Sequence, residues 1–453
     1  MTRQRHPIGL YVLFFTEMWE RFGFYCMEAV FVYYMKASQY EFLRENASRI
    51  YGIYLAGVYA SPFFGGLLAE WKLGYFLSIL LGGLFMAGGY GLLSLEPAVC
   101  FVIGLGCIVV GNGLFKPNIS SLVGKLYEPG DPRIDSAFTI FYMGINVGAL
   151  FSPIVAGITG ILVKEHTDWP ERYGYLLVFA IAAVGMIIGW LTFFTFKSQV
   201  KIMQASGSAA TTAAEVPPGV QTKRNWALIV FFVINVLFWM AFKQRANSMA
   251  LWIKDRTDLT APDWLANTLS FLHVDRFFMK DGMVGKEFFQ SLNPLFVILL
   301  SPMLVWLWSA LRRVKIDVST PAKLVLGFLL TASSFAIMWQ AARLTPEGQR
   351  ATSLVIVAFY VLLTAGELCL SPMGLSLVSK LAPARTRAIW MGLFFVSTSV
   401  GGYLAGEIYQ FFEKWPFADF FLVLMCSSLG AMFLMICAYP LINSAVKPVP
   451  PKS

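Results

Sequence analysis

Stretches of roughly 20 mainly apolar residues, the length a helix needs to cross a bilayer, recur at about 9–35, 50–69, 75–93, 98–120, 136–163, 174–196, 226–250, 288–309, 322–342, 352–379, 388–410 and 418–443. Within hydrocarbon a spanning segment must satisfy its own backbone polar groups, and runs of this length do so as α-helices. The expectation is an all-α membrane protein with twelve transmembrane helices. Composition agrees: of 453 residues, 57% are hydrophobic and only 13% charged, too apolar for a surface that faces water all round.

An even number of spans leaves both termini on one side. The connections on that side carry Arg3 and Arg5, Lys72, Lys125 and Arg133, the basic residues from Lys197 to Arg224, Arg312, Arg313 and Lys315, and Lys380, Arg385 and Arg387. The positive-inside rule places them, with both termini, in the cytoplasm of a multi-pass plasma-membrane protein. The opposite set mixes acids with its bases over Lys254–Asp258 and Asp275–Glu287, so the bias is moderate. This dispersal also argues against nucleic acid as the reason for a net charge of +9, since no dense basic patch forms. The six cysteines, Cys26, Cys100, Cys107, Cys369, Cys426 and Cys437, lie in apolar segments without metal or redox spacing and read as reduced packing residues. Residues Met1–Ile8 are short and basic, with no small-residue cleavage site after the first apolar run, so that run is expected to be retained.

From Lys197 to Arg224 the apolar pattern gives way to Ala, Ser, Thr, Gly and the pair Pro217-Pro218, with no amphipathic period. It reads as a flexible cytoplasmic linker between six-span bundles at 1–196 and 225–453, the arrangement of transporters whose site lies between two rocking halves. Farther on, Pro262-Asp263 followed by Trp264–Leu272 reads as a short interfacial helix with no chemistry of its own.

The first span is the unusual one. In Glu17-Met18-Trp19-Glu20-Arg21-Phe22-Gly23-Phe24-Tyr25-Cys26-Met27-Glu28, residues Glu17, Glu20, Arg21, Tyr25 and Glu28 share one helical sector of roughly 140°. A charge at bilayer depth costs about 3 kcal/mol or more, so such residues face a partner or a water-filled cavity and mark ion or substrate pathways. Other spans bring further polar groups. Lys116 lies in Gly111-Asn112-Gly113-Leu114-Phe115-Lys116-Pro117-Asn118, Asn146 in Phe138–Leu150, Lys243 after Phe238-Trp239-Met240-Ala241-Phe242, and Glu367 in Ala365–Pro372. Lys116 could equally snorkel, and Asn146 could simply glue helices together. Glu367 reads as a lone mid-membrane carboxylate with a functional role, while Tyr59 near Pro62 and Asn293 near Pro294 could satisfy backbone groups freed by proline. Cations and acids on spans 1, 4, 7 and 10 fall at corresponding positions of three-helix repeats, and opposite signs on the two halves suit a zwitterion.

These motifs together resemble the proton-dependent oligopeptide transporter family of the major facilitator superfamily: Glu17-x-x-Glu20-Arg21-Phe22, Gly113-Leu-Phe-Lys116-Pro117-Asn118, Phe138–Leu150, Phe289-Gln290-Ser291-Leu292-Asn293-Pro294 and Glu367-Leu-x-x-Ser371-Pro372, spread over nearly the whole chain. The resemblance implies the major facilitator fold and a symporter that imports di- and tripeptides with protons by alternating access, without a cofactor or a metal and with a monomer as the functional unit. It implies that Glu17 and Glu20 couple to protons with Arg21 as their partner. Lys116 and Arg21 would meet the peptide carboxylate, Glu367 its amino group, and Tyr25, Tyr59, Asn146 and Asn293 its backbone. A bacterial inner membrane would be the location.

The chain departs from the family pattern in several places. Glu70 stands where the family usually has Asp, Phe24 precedes Tyr25 where it often has Tyr-Tyr, and no extra helix pair separates the halves. The usual basic residue seven positions after Arg21 is Glu28, and the usual acid four positions after Trp239 is Lys243. A swap of both signs preserves a pair, so a Glu28–Lys243 salt bridge helping to close an outer gate is the expectation. The alternative function is a proton-coupled carrier of another small zwitterionic or anionic solute on the same fold. A channel is disfavoured by the lack of repeated filter segments, and an intramembrane enzyme by His6, His166 and His273 all lying outside the spans.

Overall fold

The computed structural model describes residues 5–128, 131–166, 168–209, 218–246, 248–260, 263–271, 279–280, 283–284, 286–346, 348–383, 385–412 and 414–447. Helices dominate. In chain order they are α1 (Ile8–Ala37), α2 (Glu41–Glu45), α3 (Ala47–Leu68), α4 (Gly74–Leu93), α5 (Ala98–Lys125), α6 (Ile134–His166), α7 (Glu171–Ala209), α8 (Pro218–Phe242), α9 (Ser248–Arg256), α10 (Asp263–Phe271), α11 (Lys286–Arg313), α12 (Thr320–Leu344), α13 (Ser353–Leu381), α14 (Arg387–Tyr409) and α15 (Phe417–Val446). Two two-residue strands pair antiparallel between α10 and α11, with Met279 opposite Val284 and Lys280 opposite Met283.

Among the described residues, ten stretches are long and apolar enough to cross a membrane, fewer than the twelve expected. Two physical reasons account for the difference. Helix α1 has the length, 30 residues, but Glu17, Glu20, Arg21 and Glu28 spoil its apolar composition. The segment Ile53–Leu93 counts once because Ala69–Leu73 continue from α3 as a π-type turn before α4 begins. The change of direction falls on Gly74, whose φ of 74° a side chain would resist.

Helix α7 runs to Ala209 and α8 starts at Pro218, so helix enters the expected linker from both ends; residues 210–217 lie outside those described. The expected short helix after Pro262 is present as α10, while Pro262, Arg3 and His273 fall outside the described residues. All six cysteines are free, and Cys26 and Cys369 are buried. Cys426 and Cys437 are exposed on α15, so packing does not describe them.

The chain forms two compact units. The first comprises Met1–Leu228, Gly374–Val396 and Ala445–Ser453, the second Ile229–Met373 and Ser397–Ser444. Inside the first, small residues let helices approach closely around α1, as expected where lipid gives no hydrophobic incentive to associate. A Cβ on Gly144 of α6 would sit 2.9 Å from the Phe14 ring, and one on Gly189 of α7 would sit 2.9 Å from Trp19 Cβ. Helices α6 and α7 thus pack closely on α1, whose Glu17, Glu20 and Arg21 are buried. Inside the second unit, polar side chains tie helices across the apolar interior: Asn235 Nδ2 donates to Ser397 Oγ at 3.0 Å, and Gln244 Nε2 to the Ala405 carbonyl at 2.9 Å.

Candidate substrate and proton site

Spacing of three and four residues on α1 brings Glu17, Glu20 and Arg21 together, and they are 1%, 0% and 4% exposed. The Arg21 guanidinium grips Glu20 in a fork, Nε to Oε2 and Nη2 to Oε1, with Glu17 Oε1 3.6 Å from Nε. Glu17 Oε2 is buried and has no hydrogen-bond partner among the described residues. Two further contacts complete the setting of Arg21. Its charge lies 4.8 Å from the centre of the Phe24 ring, and Nη2 donates to Asn112 Oδ1 at a long 3.4 Å. Phe24, the position where a hydroxyl is lost, therefore supports the arginine through its π-face.

Lys116 stands one turn beyond Asn112 on α5, with Nζ 4.7 Å from the centre of the Phe395 ring on α14. Tyr25 and Tyr59 are half-buried, Tyr25 with its ring edge-on to Phe24. Asn146 is buried and donates to the Tyr142 carbonyl of its own helix at 3.0 Å. Glu28 accepts from the Tyr51 hydroxyl at 3.1 Å.

In the second unit Glu367 is buried and has a neutral partner that the sequence did not suggest. Asn293 Nδ2 donates to its Oε2 at 2.6 Å and also contacts Thr364 Oγ1 at 3.0 Å. Asn293 therefore bonds side chains of α13 rather than the backbone beside Pro294. Lys243 opens a 3-10 turn after α8 ends at Phe242, its Nζ 5.8 Å from the Trp239 ring centre. It belongs to the end of the span rather than its middle.

Three contributors went unrecognised in the sequence. Asn112 is one. Asp135 in the first turn of α6 is another, accepting at Oδ1 from both Ser376 Oγ and Lys380 Nζ of α13. The third is the task of Glu70, whose Oε1 accepts from the backbone N–H groups of Ala388 and Ile389 and so caps the start of α14. Contacts between residues some 240 to 320 positions apart leave no mark in local pattern.

The profile described as the POT family matches residues 76–220 and 218–423. The chain belongs to the POT family. Members and relatives are transporters, so this POT protein is a carrier and not an enzyme. It is 33% identical over 474 residues to "Peptide transporter YePEPT" of Yersinia enterocolitica, covering 89% of this chain and 87% of the relative. It is 32% identical over 506 residues to "Uncharacterized transporter YclF" of Bacillus subtilis, covering 98% and 96%. Among solved structures, a peptide transporter POT in complex with sulfate superposes with a TM-score of 0.66 at 30% identity, covering 98% of this chain and 96% of that one.

Proposed function

We infer that this POT family member is a proton-coupled symporter that imports di- and tripeptides by alternating access. The reading takes in the twelve-span arrangement as two six-helix bundles joined at 197–224, both termini in the cytoplasm of a bacterial inner membrane, and a working monomer. Relatives named as a di-/tripeptide transporter of Lactococcus lactis and a peptide transporter of Yersinia enterocolitica support the substrate class.

The observation that carries the coupling is the gripping of Arg21 between Glu20 and Glu17. The three carry one net negative charge, and Lys116 balances it. A peptide carboxylate drawn to Lys116 or Arg21 restores the excess, and one proton on Glu17 or Glu20 cancels it again. Protonation also loosens the hold of the acids on Arg21, freeing donors for the carboxylate. Substrate and proton therefore favour each other's binding, which is what a symporter requires. Glu367, held in place by Asn293, serves the ammonium group, and Tyr25, Tyr59 and Asn146 the peptide backbone.

The reversed signs at Glu28 and Lys243 lead us to propose that the two residues compensate each other as an outer gate. Uptake of labelled dialanine into proteoliposomes tests the function: accumulation with an inward proton gradient, and mere equilibration without one, is expected. Equal uptake under both conditions would overturn the coupling, and transport of other zwitterions but no dialanine would overturn the substrate.

A further inference from the structure

Pro62 lies inside α3 and has no N–H, so the carbonyl of Val58, four residues earlier, lacks its helical donor. A buried carbonyl in that position calls for a replacement. Ser61 Oγ supplies a contact at 3.3 Å, and Asn112 Nδ2, from α5, supplies a better one at 2.9 Å. The other end of the same amide, Oδ1, accepts from Arg21 Nη2. Chemistry fixes this orientation, because a carbonyl only accepts and a guanidinium only donates; turning the amide over would lose both bonds.

Packing sets the reach. Asn112 is fully buried between Gly111 and Gly113, and a Cβ on Gly113 would lie 2.7 Å from Ser61 Cβ and 2.8 Å from the Ser61 carbonyl. The backbones of α3 and α5 thus come close enough for a short amide to span from the break in one helix to the arginine of α1.

We propose that Asn112 is a positioning residue for proton coupling: it ties Arg21 to the proline break of α3, so that the guanidinium stays aimed at Glu17 and Glu20 and its release is felt in α3. This rests on the symport reading given above. The amide holds one edge of the guanidinium while the Glu20 carboxylate holds another, leaving Arg21 one orientation in which to exchange acid for substrate.

The test compares Asn112→Thr with Asn112→Val in the full-length protein in proteoliposomes. The two side chains have nearly the same shape, but only the hydroxyl of Thr can donate to Val58 and accept from Arg21. Two quantities are read as a function of pH: gradient-driven accumulation of dialanine, and gradient-free counterflow. For Asn112→Val the ratio of accumulation to counterflow should fall by about tenfold and its pH midpoint should move by about half a unit or more, with Thr recovering most of both. Pro62→Ala returns a helical donor to Val58 and should move the midpoint without touching Asn112, which covers the case in which Asn112→Val fails to fold. Identical behaviour of Thr and Val, equal loss of accumulation and counterflow in Val, or an unmoved midpoint in Pro62→Ala would overturn the proposal. Absence of proton-driven uptake in the wild type would instead overturn the function, and the proposal with it.

Discussion

Lys380 Nζ lies 2.5 Å from Asp135 Oδ1, and Ser376, one turn earlier on α13, donates to the same oxygen at 2.5 Å. Asp135 sits in the first turn of α6, where the helix dipole favours its charge. With the Glu70 cap on α14, this contact holds the Gly374–Val396 segment against the amino-terminal helices within one compact unit.

Loosening that contact should open this end of the molecule. Removing one partner of a buried pair costs about 3–5 kcal/mol, and less here because Lys380 retains some access to water. Asp135→Asn should speed labelling of a cysteine placed at buried Ser379 by a water-soluble maleimide, in a background without the native cysteines. Unchanged labelling would contradict the role of the pair.

Glu367 should be the ammonium contact, with Asn293 as its support. Loss of a buried charge-assisted contact costs about 3 kcal/mol, roughly a hundredfold in affinity, so Glu367→Ala should abolish competition by free dipeptides. Asn293→Ala should weaken it less. If free and N-acetylated dialanine competed equally well against wild-type uptake, the assignment would be wrong.

The sign reversal makes its own prediction. Glu28→Gln and Lys243→Gln should each impair uptake, and Glu28→Lys combined with Lys243→Glu should recover much of it. Additive losses with no recovery in the exchanged variant would rule the compensation out.

Outside the spans, His6 Nδ1 meets the Tyr127 hydroxyl at 2.7 Å. Burial, and then the charge of Arg133, hold its pKa below the usual 6.5, with Asp131 opposing. A lowered folded-state pKa means the unfolded chain takes up the proton first. The stabilisation is thus fully present above about pH 6.5 and is lost as pH falls through the lower folded value. Thermal unfolding of purified protein at about pH 5 and about pH 7.5 should show a steeper acid loss in the wild type than in His6→Gln. Parallel curves would remove His6 from the account.

How far the sequence could be read follows from where the partners lie. Glu17, Glu20 and Arg21 were legible because helical periodicity alone puts them on one face, and the charge on that face is expensive in lipid. Asn112 was visible only as a letter between glycines, since its meaning depends on a proline in another helix. Glu367 read as isolated because Asn293 comes from 74 positions away. The count of spans was blurred for local reasons, the charges on α1 and the π-type continuation at Ala69–Leu73.

If proton coupling runs through the α1 acids, Glu20→Gln separates exchange of substrate from its accumulation. The variant keeps the side-chain shape and one acceptor oxygen toward Arg21, gives up the second bond of the fork, and cannot carry a proton on and off. In proteoliposomes, with dialanine counterflow and gradient-driven accumulation measured side by side, Glu20→Gln should still exchange dialanine and no longer concentrate it. Accumulation at the wild-type level in that variant would contradict this coupling.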